Sequence, residues 1–258
     1  MEGEGAAGKG NASLRRALGI AAWAAILLLA FEVDRWVYLE VAGSVAEKTG
    51  FKTWRFGRPE GGRAPKIDEV LTLFKRMGEI WFVIVVTTTM LLIAPARRGQ
   101  VLALCLAIGV AAAVGQGLLK HGIGKLRPDA ELSPADVERL VANGGEVVAV
   151  RGKTLNKGSV LFRPPFSGNR SGLTFPSGHA ALAFAAFTVL ARAFPRARWW
   201  FLFLACGVAA SRVLMGEHFL SDVIAGAGVG YACARAVLAV PRVRRLMAGD
   251  SAGSMKTA

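Results

Sequence analysis

Histidine is scarce here: three residues in a chain of 258. Two of them, His179 and His218, stand among other polar groups, so the rare side chain sits where chemistry needs it. Cysteine is equally sparse, and Cys105, Cys206 and Cys233 each lie inside an apolar block. The count is odd and no two have CxxC spacing, which excludes a disulfide framework and a thiolate zinc site. They are expected to be small buried apolar side chains. Acidic residues are few, 18 against 32 basic, a net charge of +14. Such an excess would suit nucleic acid, but no recognised nucleic-acid pattern accompanies it, and no such partner is expected. The basic residues fall instead in loops beside long apolar blocks, which points to anionic lipid and a bilayer.

Apolar residues make up 53% of the sequence and are segregated into runs. Arg15-Arg16 precedes the first, Ala17–Phe31. No small-residue cleavage site follows directly, because the run ends in Glu32-Val33-Asp34-Arg35; a retained span is expected over a cleaved signal peptide. Further runs are Ile80–Ala94, Val101–Leu119, Ala180–Phe194, Trp199–Ala210 and Val223–Val240. The last three are shorter than the roughly 20 residues a full crossing needs, so polar residues at their ends should lie partly below the membrane surface. The expected fold is all-α and polytopic, with six transmembrane helices over residues 17–247 and tails at 1–16 and 248–258, residues 1–13 being disordered. The short segments at Arg15-Arg16, Arg97-Arg98, Arg192–Arg198 and Arg242–Arg245 are basic without an acid, which places them and both termini in the cytoplasm. Lys120, His179 and His218 then all fall on the outer face.

Two other segments carry local signals. Ile67, Val70, Leu71, Phe74 and Met77 recur at helical spacing, which suits a helix on the membrane surface or one packed on protein. Residues 129–170 form an outer insertion between the third and fourth spans, either a lid or a surface elaboration. Ser133-Pro134 opens a short helix ending near Ala142, and Glu146–Arg151 with Ser159–Arg163 are expected to pair as a hairpin.

The polar residues at the span ends form a set. Lys120 and Arg127 supply two cations, on one face if their stretch were helical, although Gly122, Gly124 and Pro128 favour a loosened helix end. Arg212 adds a planar fork for oxyanions. His218 and Asp222 share a helical face at four-residue spacing, so the carboxylate can fix the imidazole tautomer. Pro176-Ser177-Gly178-His179 opens a span, giving backbone N–H groups for an anion, a hydroxyl, and a histidine able to protonate a leaving oxygen. His121 has no such context and reads as interfacial. Breaking a phosphate ester needs these parts: cations for the oxygens, an in-line nucleophile, and a proton for the alkoxide. Gly226-x-x-x-Gly230 and Ala180, Ala181, Ala185 and Ala186 are small enough to let two spans approach closely and bring the histidines together.

Lys120-x6-Arg127-Pro128, Pro176-Ser177-Gly178-His179 and Ser211-Arg212-x5-His218-x3-Asp222 resemble, in order and without substitution, the three signature motifs of the type 2 phosphatidic acid phosphatase (PAP2) superfamily. The resemblance covers residues 120–222. It implies a six-span bundle and catalysis without metal or other cofactor, with His218 as nucleophile forming a phosphohistidine, Asp222 as its partner and His179 as general acid. Lys120, Arg127, Ser177, Gly178 and Arg212 would hold the phosphate. The expected activity is removal of phosphate from a lipid phosphate or diphosphate at the outer face of a bacterial-type plasma membrane. Lipid A and polyprenyl carriers are slightly favoured, since outer basic loops suit a multiply charged head group. A phosphotransferase using a lipid acceptor is the alternative, and a non-enzymatic lipid-binding or transport protein a more distant one. Six spans disfavour a haloperoxidase.

Overall fold

A backbone that crosses lipid must satisfy its own hydrogen bonds, and these apolar runs do so as helices. The computed structural model describes residues 3–42, 66–150, 153–167 and 172–254. Helix α1 (Gly3–Trp36) continues in a π-helical turn (Val37–Ala42). It already includes residues 3–13, expected as a disordered tail: adding residues to an existing helix costs less than starting one, and the first span's helix continues backwards through them. Next come α2 (Lys66–Met77), α3 (Ile80–Ile93) and α4 (Arg98–Ile123). The insertion holds α5 (Pro134–Ala142), β1 (Val147–Val150) and β2 (Lys153–Asn156). Four helices complete the chain: α6 (Gly178–Ala193), α7 (Arg198–Leu214), α8 (Leu220–Ala239) and α9 (Pro241–Ser254).

The protein is an all-α, multi-spanning membrane protein. Among the described residues four helices are long and apolar enough to cross: Ser13–Val41, Arg98–Ile123, Pro195–Leu214 and Leu220–Ala239. The pair Glu69–Met77 and Ile80–Ile93, bent by 64°, makes a fifth if counted as one span. The sequence expectation of six is therefore met in length by four or five. The remaining run, α6, has 16 residues, which rise only about 24 Å. Ten of those residues are buried, because α6 stands at the centre of the bundle against α4, α7 and α8.

Close approach at the centre depends on small residues. A Cβ on Gly226 would lie 2.5 Å from the Ser177 carbonyl and 3.1 Å from Ala180 Cβ; one on Gly230 would strike the Ala181 carbonyl. Helix α2 packs on protein: Leu71 is buried, and Phe74 fills the space a side chain at Gly207 of α7 would need. Of the cysteines only Cys233 is buried. Cys105 and Cys206 face outward from α4 and α7, where lipid is the apolar surroundings the expectation assigned to protein.

The insertion has its own small core, Leu126, Ala130, Leu132, Leu140, Leu161 and Leu173. Ser133 caps α5 reciprocally: its Oγ accepts from Asp136 N at 3.3 Å, and its own N–H donates to Asp136 Oδ2 at 3.1 Å. Burial works against the Asp136 charge, but bonds from Arg163 and Ser133 outweigh it and hold the carboxyl down at about 2. The hairpin differs from expectation. Glu146–Arg151 supplies β1, but its partner is Lys153–Asn156, in register Val147↔Asn156 to Val150↔Lys153. The nearer segment wins because the loop to be closed is shorter. The expected partner, Ser159–Arg163, lies instead along the segment after α4, where Leu126 N donates to Leu161 O at 2.8 Å.

Candidate active site

The first motif is shaped by how α4 ends. A π-helical stretch (Ala113–Leu119) re-aims its last turn, and Gly124, at φ 69°, stops it. A side chain there would strike the Arg163 carbonyl, so the turn needs glycine for its conformation and for space. Lys120 therefore closes a helix while Arg127 lies beyond it, after the bridge residues Lys125 and Leu126; the two share no helical face. That segment meets the approach to the second motif: Arg127 N donates to Gly172 O and Thr174 N to Lys125 O, both at 2.8 Å. Ser177 then starts α6, and its N–H donates to the Asp222 carbonyl at 2.8 Å, joining the second motif to the third. Gly178 lies flat against Gln116 of α4, and Gly78, in the turn between α2 and α3, against the ring of His179.

The third motif spans the α7–α8 turn. Glu217 N and His218 N both donate to the Arg212 carbonyl, folding the turn back on its own helix. Arg212 is almost fully buried and ion-paired with Glu217, whose other oxygen meets Lys75 of α2 at 3.2 Å. Asp222 caps α8 by accepting from Phe219 N at 2.9 Å. His218 and Asp222 face each other directly only at long range, Nδ1 3.5 Å from Oδ2. Thr174 stands between them, its Oγ1 2.7 Å from His218 Nδ1 and 2.6 Å from Asp222 Oδ2. A carboxylate can only accept, so the hydroxyl proton goes to Asp222 and His218 Nδ1–H donates to the threonine. Nε2 is then the nitrogen left with its lone pair.

His218 is buried at 2% exposure, and burial pushes its imidazole down to about 4. Asp222 opposes that shift, while the charges of Arg212 and Arg127 add to it. The same cluster reaches further: His179 lies in the electrostatic range of Arg212, His218, Lys75 and Arg127, and Lys120 in that of Arg127, Asp222 and Arg212. Three stretches distant in sequence thus meet at one end of the bundle. Among the buried polar atoms there, Arg127 Nε and Ser177 Oγ have no hydrogen-bond partner among the described residues. Buried donors of this kind normally find an acceptor, and an oxyanion is one. His121 stands apart, its Nδ1 2.9 Å from the Gly117 carbonyl. No group of three or more His, Cys, Asp or Glu side chains among the described residues is arranged to hold a metal ion.

Sequence reasoning missed the residues behind these. Thr174 sits two residues before Pro176 with nothing to mark it but a hydroxyl. Lys125 lies inside the first motif, yet its side chain turns away from Lys120 and Arg127 into the core, where it bonds Asp34 at 2.6 Å and Ser221 at 2.7 Å. Asp34 read as the polar end of the first span.

Lipid A 1-phosphatases of Rhizobium etli and Rhizobium johnstonii are each 44% identical over 66 residues, 26% of this chain. The matched segment spans only 28% and 27% of those relatives. Among solved structures, Aquifex aeolicus LpxE aligns at 20% identity over 69% of this chain and 88% of its own, with a TM-score of 0.42. A transmembrane PAP2-type phosphatidylglycerolphosphate phosphatase from Bacillus subtilis aligns at 16% identity over 82% and 93%, with a TM-score of 0.41. The family model of the PAP2 superfamily matches residues 100–246, more than half the sequence and all three motifs. The chain belongs to the PAP2 superfamily.

Proposed function

We propose that this protein is a membrane phosphohydrolase that cleaves a lipid phosphate or diphosphate through a phosphohistidine on His218. The observation that carries the reading is the His218–Thr174–Asp222 chain, which leaves one imidazole nitrogen unprotonated beside a ring of cations. Nε2 attacks phosphorus in line, and the bond from phosphorus to the lipid oxygen breaks. That oxygen takes a proton from His179. Lys120, Arg127, Ser177, the Gly178 backbone and Arg212 neutralise the phosphoryl oxygens as charge shifts onto them. Water, deprotonated by His179, then attacks the phosphohistidine, releasing phosphate and restoring Nε2. No step calls on a metal, so activity should survive chelators.

The substrate class follows from placement. A site at one end of a helical bundle receives a phosphate while the attached tail stays in lipid. The relatives named as lipid A 1-phosphatases favour lipid A over polyprenyl diphosphates. We read six spans, with α2–α3 as the second and α6 as a short fourth enclosed by its neighbours. The tails at 1–16 and 248–258 lie in the cytoplasm of a plasma membrane, and the site and the 129–170 insertion face outward.

Purified protein presented with lipid A, a polyprenyl diphosphate and phosphatidate should release phosphate from at least one, fastest from lipid A. His218→Ala should lose both turnover and the acid-labile phosphoenzyme. Hydrolysis retained by that variant would defeat the nucleophile assignment. Phosphate appearing on an added acceptor lipid instead of in water would make the enzyme a phosphotransferase.

A further inference from the structure

Lys125 and Asp34 take no part in the steps above, yet both are fully buried directly behind them. Besides its bonds to Asp34 and Ser221, the Lys125 ammonium lies 3.1 Å from Asp222 Oδ1 as an ion pair. Asp34 accepts from Ser221 N at 2.8 Å and Ser221 Oγ at 2.5 Å. Aromatic rings close the other directions around the ammonium: Phe219 at 4.4 Å, Phe31 at 4.6 Å and Phe175 at 5.9 Å. A cation so enclosed is out of reach of bulk water and is held only by its partners.

Apolar side chains of similar volume would join these helices at least as well as buried ions do. What the ions add is charge at a fixed place. Two carboxylates share one ammonium, so Asp34, Lys125 and Asp222 together carry one negative charge in excess. That excess abuts, through Thr174, an imidazole that becomes cationic when its Nε2 bonds to phosphorus. Asp34 and Phe31 lie three residues apart on one face of α1, so the first span brings both the counter-charge and part of the cage.

We infer that Asp34 and Lys125 are positioning residues that hold Asp222 and, through Thr174, set how readily His218 takes positive charge. The groups facing His218 are Asp222 of α8, Arg212 of α7 with its partner Glu217, Arg127 of the first motif and His179 of α6, with Lys120 reaching Asp222, Arg127 and Arg212, and Lys75 of α2 reaching Glu217. Of these, Asp222 is the one ion-paired to Lys125. The two substitutions should therefore act in opposite senses. Asp34→Asn leaves Lys125 wholly to Asp222, so less negative charge faces the ring. Lys125→Met returns the full carboxylate charge to it. Lost packing alone would move both variants the same way or neither.

Three histidines make this measurable by carbon NMR of histidine-labelled full-length protein in micelles, the His218 signal being the one absent from His218→Gln. At the pH where the wild-type ring is half charged, a shift of about one pH unit either way leaves about a tenth charged in Asp34→Asn and about nine-tenths in Lys125→Met. The acid limb of phosphoenzyme formation from labelled lipid A should move in step. Adding Lys125→Met to Asp34→Asn removes the pair together and must raise the charged fraction above that of Asp34→Asn alone, which keeps the test decisive if the lysine variant does not fold singly. Shifts in one direction, or none in the folded variants, overturn the inference. The inference rests on His218 as nucleophile only in its kinetic arm: ring shifts as stated with no wild-type phosphoenzyme would sink the proposed reaction and leave the charge-setting role standing.

Discussion

A hydroxyl has one proton, so Thr174 can donate to only one of its two neighbours, and that arithmetic decides which nitrogen of His218 keeps its lone pair. Without the hydroxyl, Nδ1 and the carboxylate face each other at 3.5 Å, too far for a strong bond. Thr174→Val should slow phosphoenzyme formation by about 10- to 100-fold, the loss typical of groups that orient a reacting partner, with KM little changed and Thr174→Ser largely restoring it. Rapid-quench kinetics would show it, and an unchanged burst would remove Thr174 from the mechanism. Protonation gives a second check. His218 is held at about 4 against its ordinary 6.5, so the ring stays neutral in the folded protein where the unfolded chain is already protonated. Stability is then full above about 6.5 and falls as pH drops from there towards 4. The acid limb of phosphoenzyme formation should likewise lie well below 6.5; a limb at the ordinary histidine value would contradict the buried, neutral nucleophile. The motif residues were legible because this chemistry draws on rare types at fixed spacing. Thr174 and Lys125 were not, because what distinguishes them is contact with residues 44 to 97 positions away, which no local pattern carries.

At the level of elements, the α6–α8 crossing sets the distance between the second and third motifs. The small-residue pattern announced it: Gly226 and Gly230 sit against the backbone of Ser177 and Ala181. Gly230→Ala should force these helices apart and cost about 1–3 kcal/mol, read as a lower unfolding temperature in detergent. Gly226→Ala, closer to Ser177, should lose activity beyond its loss of stability. Equal stability and activity in both variants would mean that the crossing relaxes without moving the site. Other features of the elements were hidden. Hydropathy sees the 14-residue α3 but not that α2, bent at 64° to it, continues the path. Alternation suggested a hairpin but could not choose between two candidate strands of similar pattern.

For the whole molecule, the proposed sides of the bilayer rest on charge alone, and the proposed side of the site rests on them. The segments linking α3 to α4 and α6 to α7, and the start of α9, are basic without acids, whereas the insertion mixes both signs. The buried bond between Asp34 of α1 and Lys125 ties the first span to the same bundle. Two exposed positions test that orientation: Asn143 at the end of α5 and Arg196 between α6 and α7. In a background with Cys105, Cys206 and Cys233 replaced by alanine, Asn143→Cys should react with a membrane-impermeant maleimide in intact cells. Arg196→Cys should react only after permeabilisation. Labelling in the reverse order would turn the site towards the cytoplasm and, with it, the leaflet from which the lipid phosphate comes.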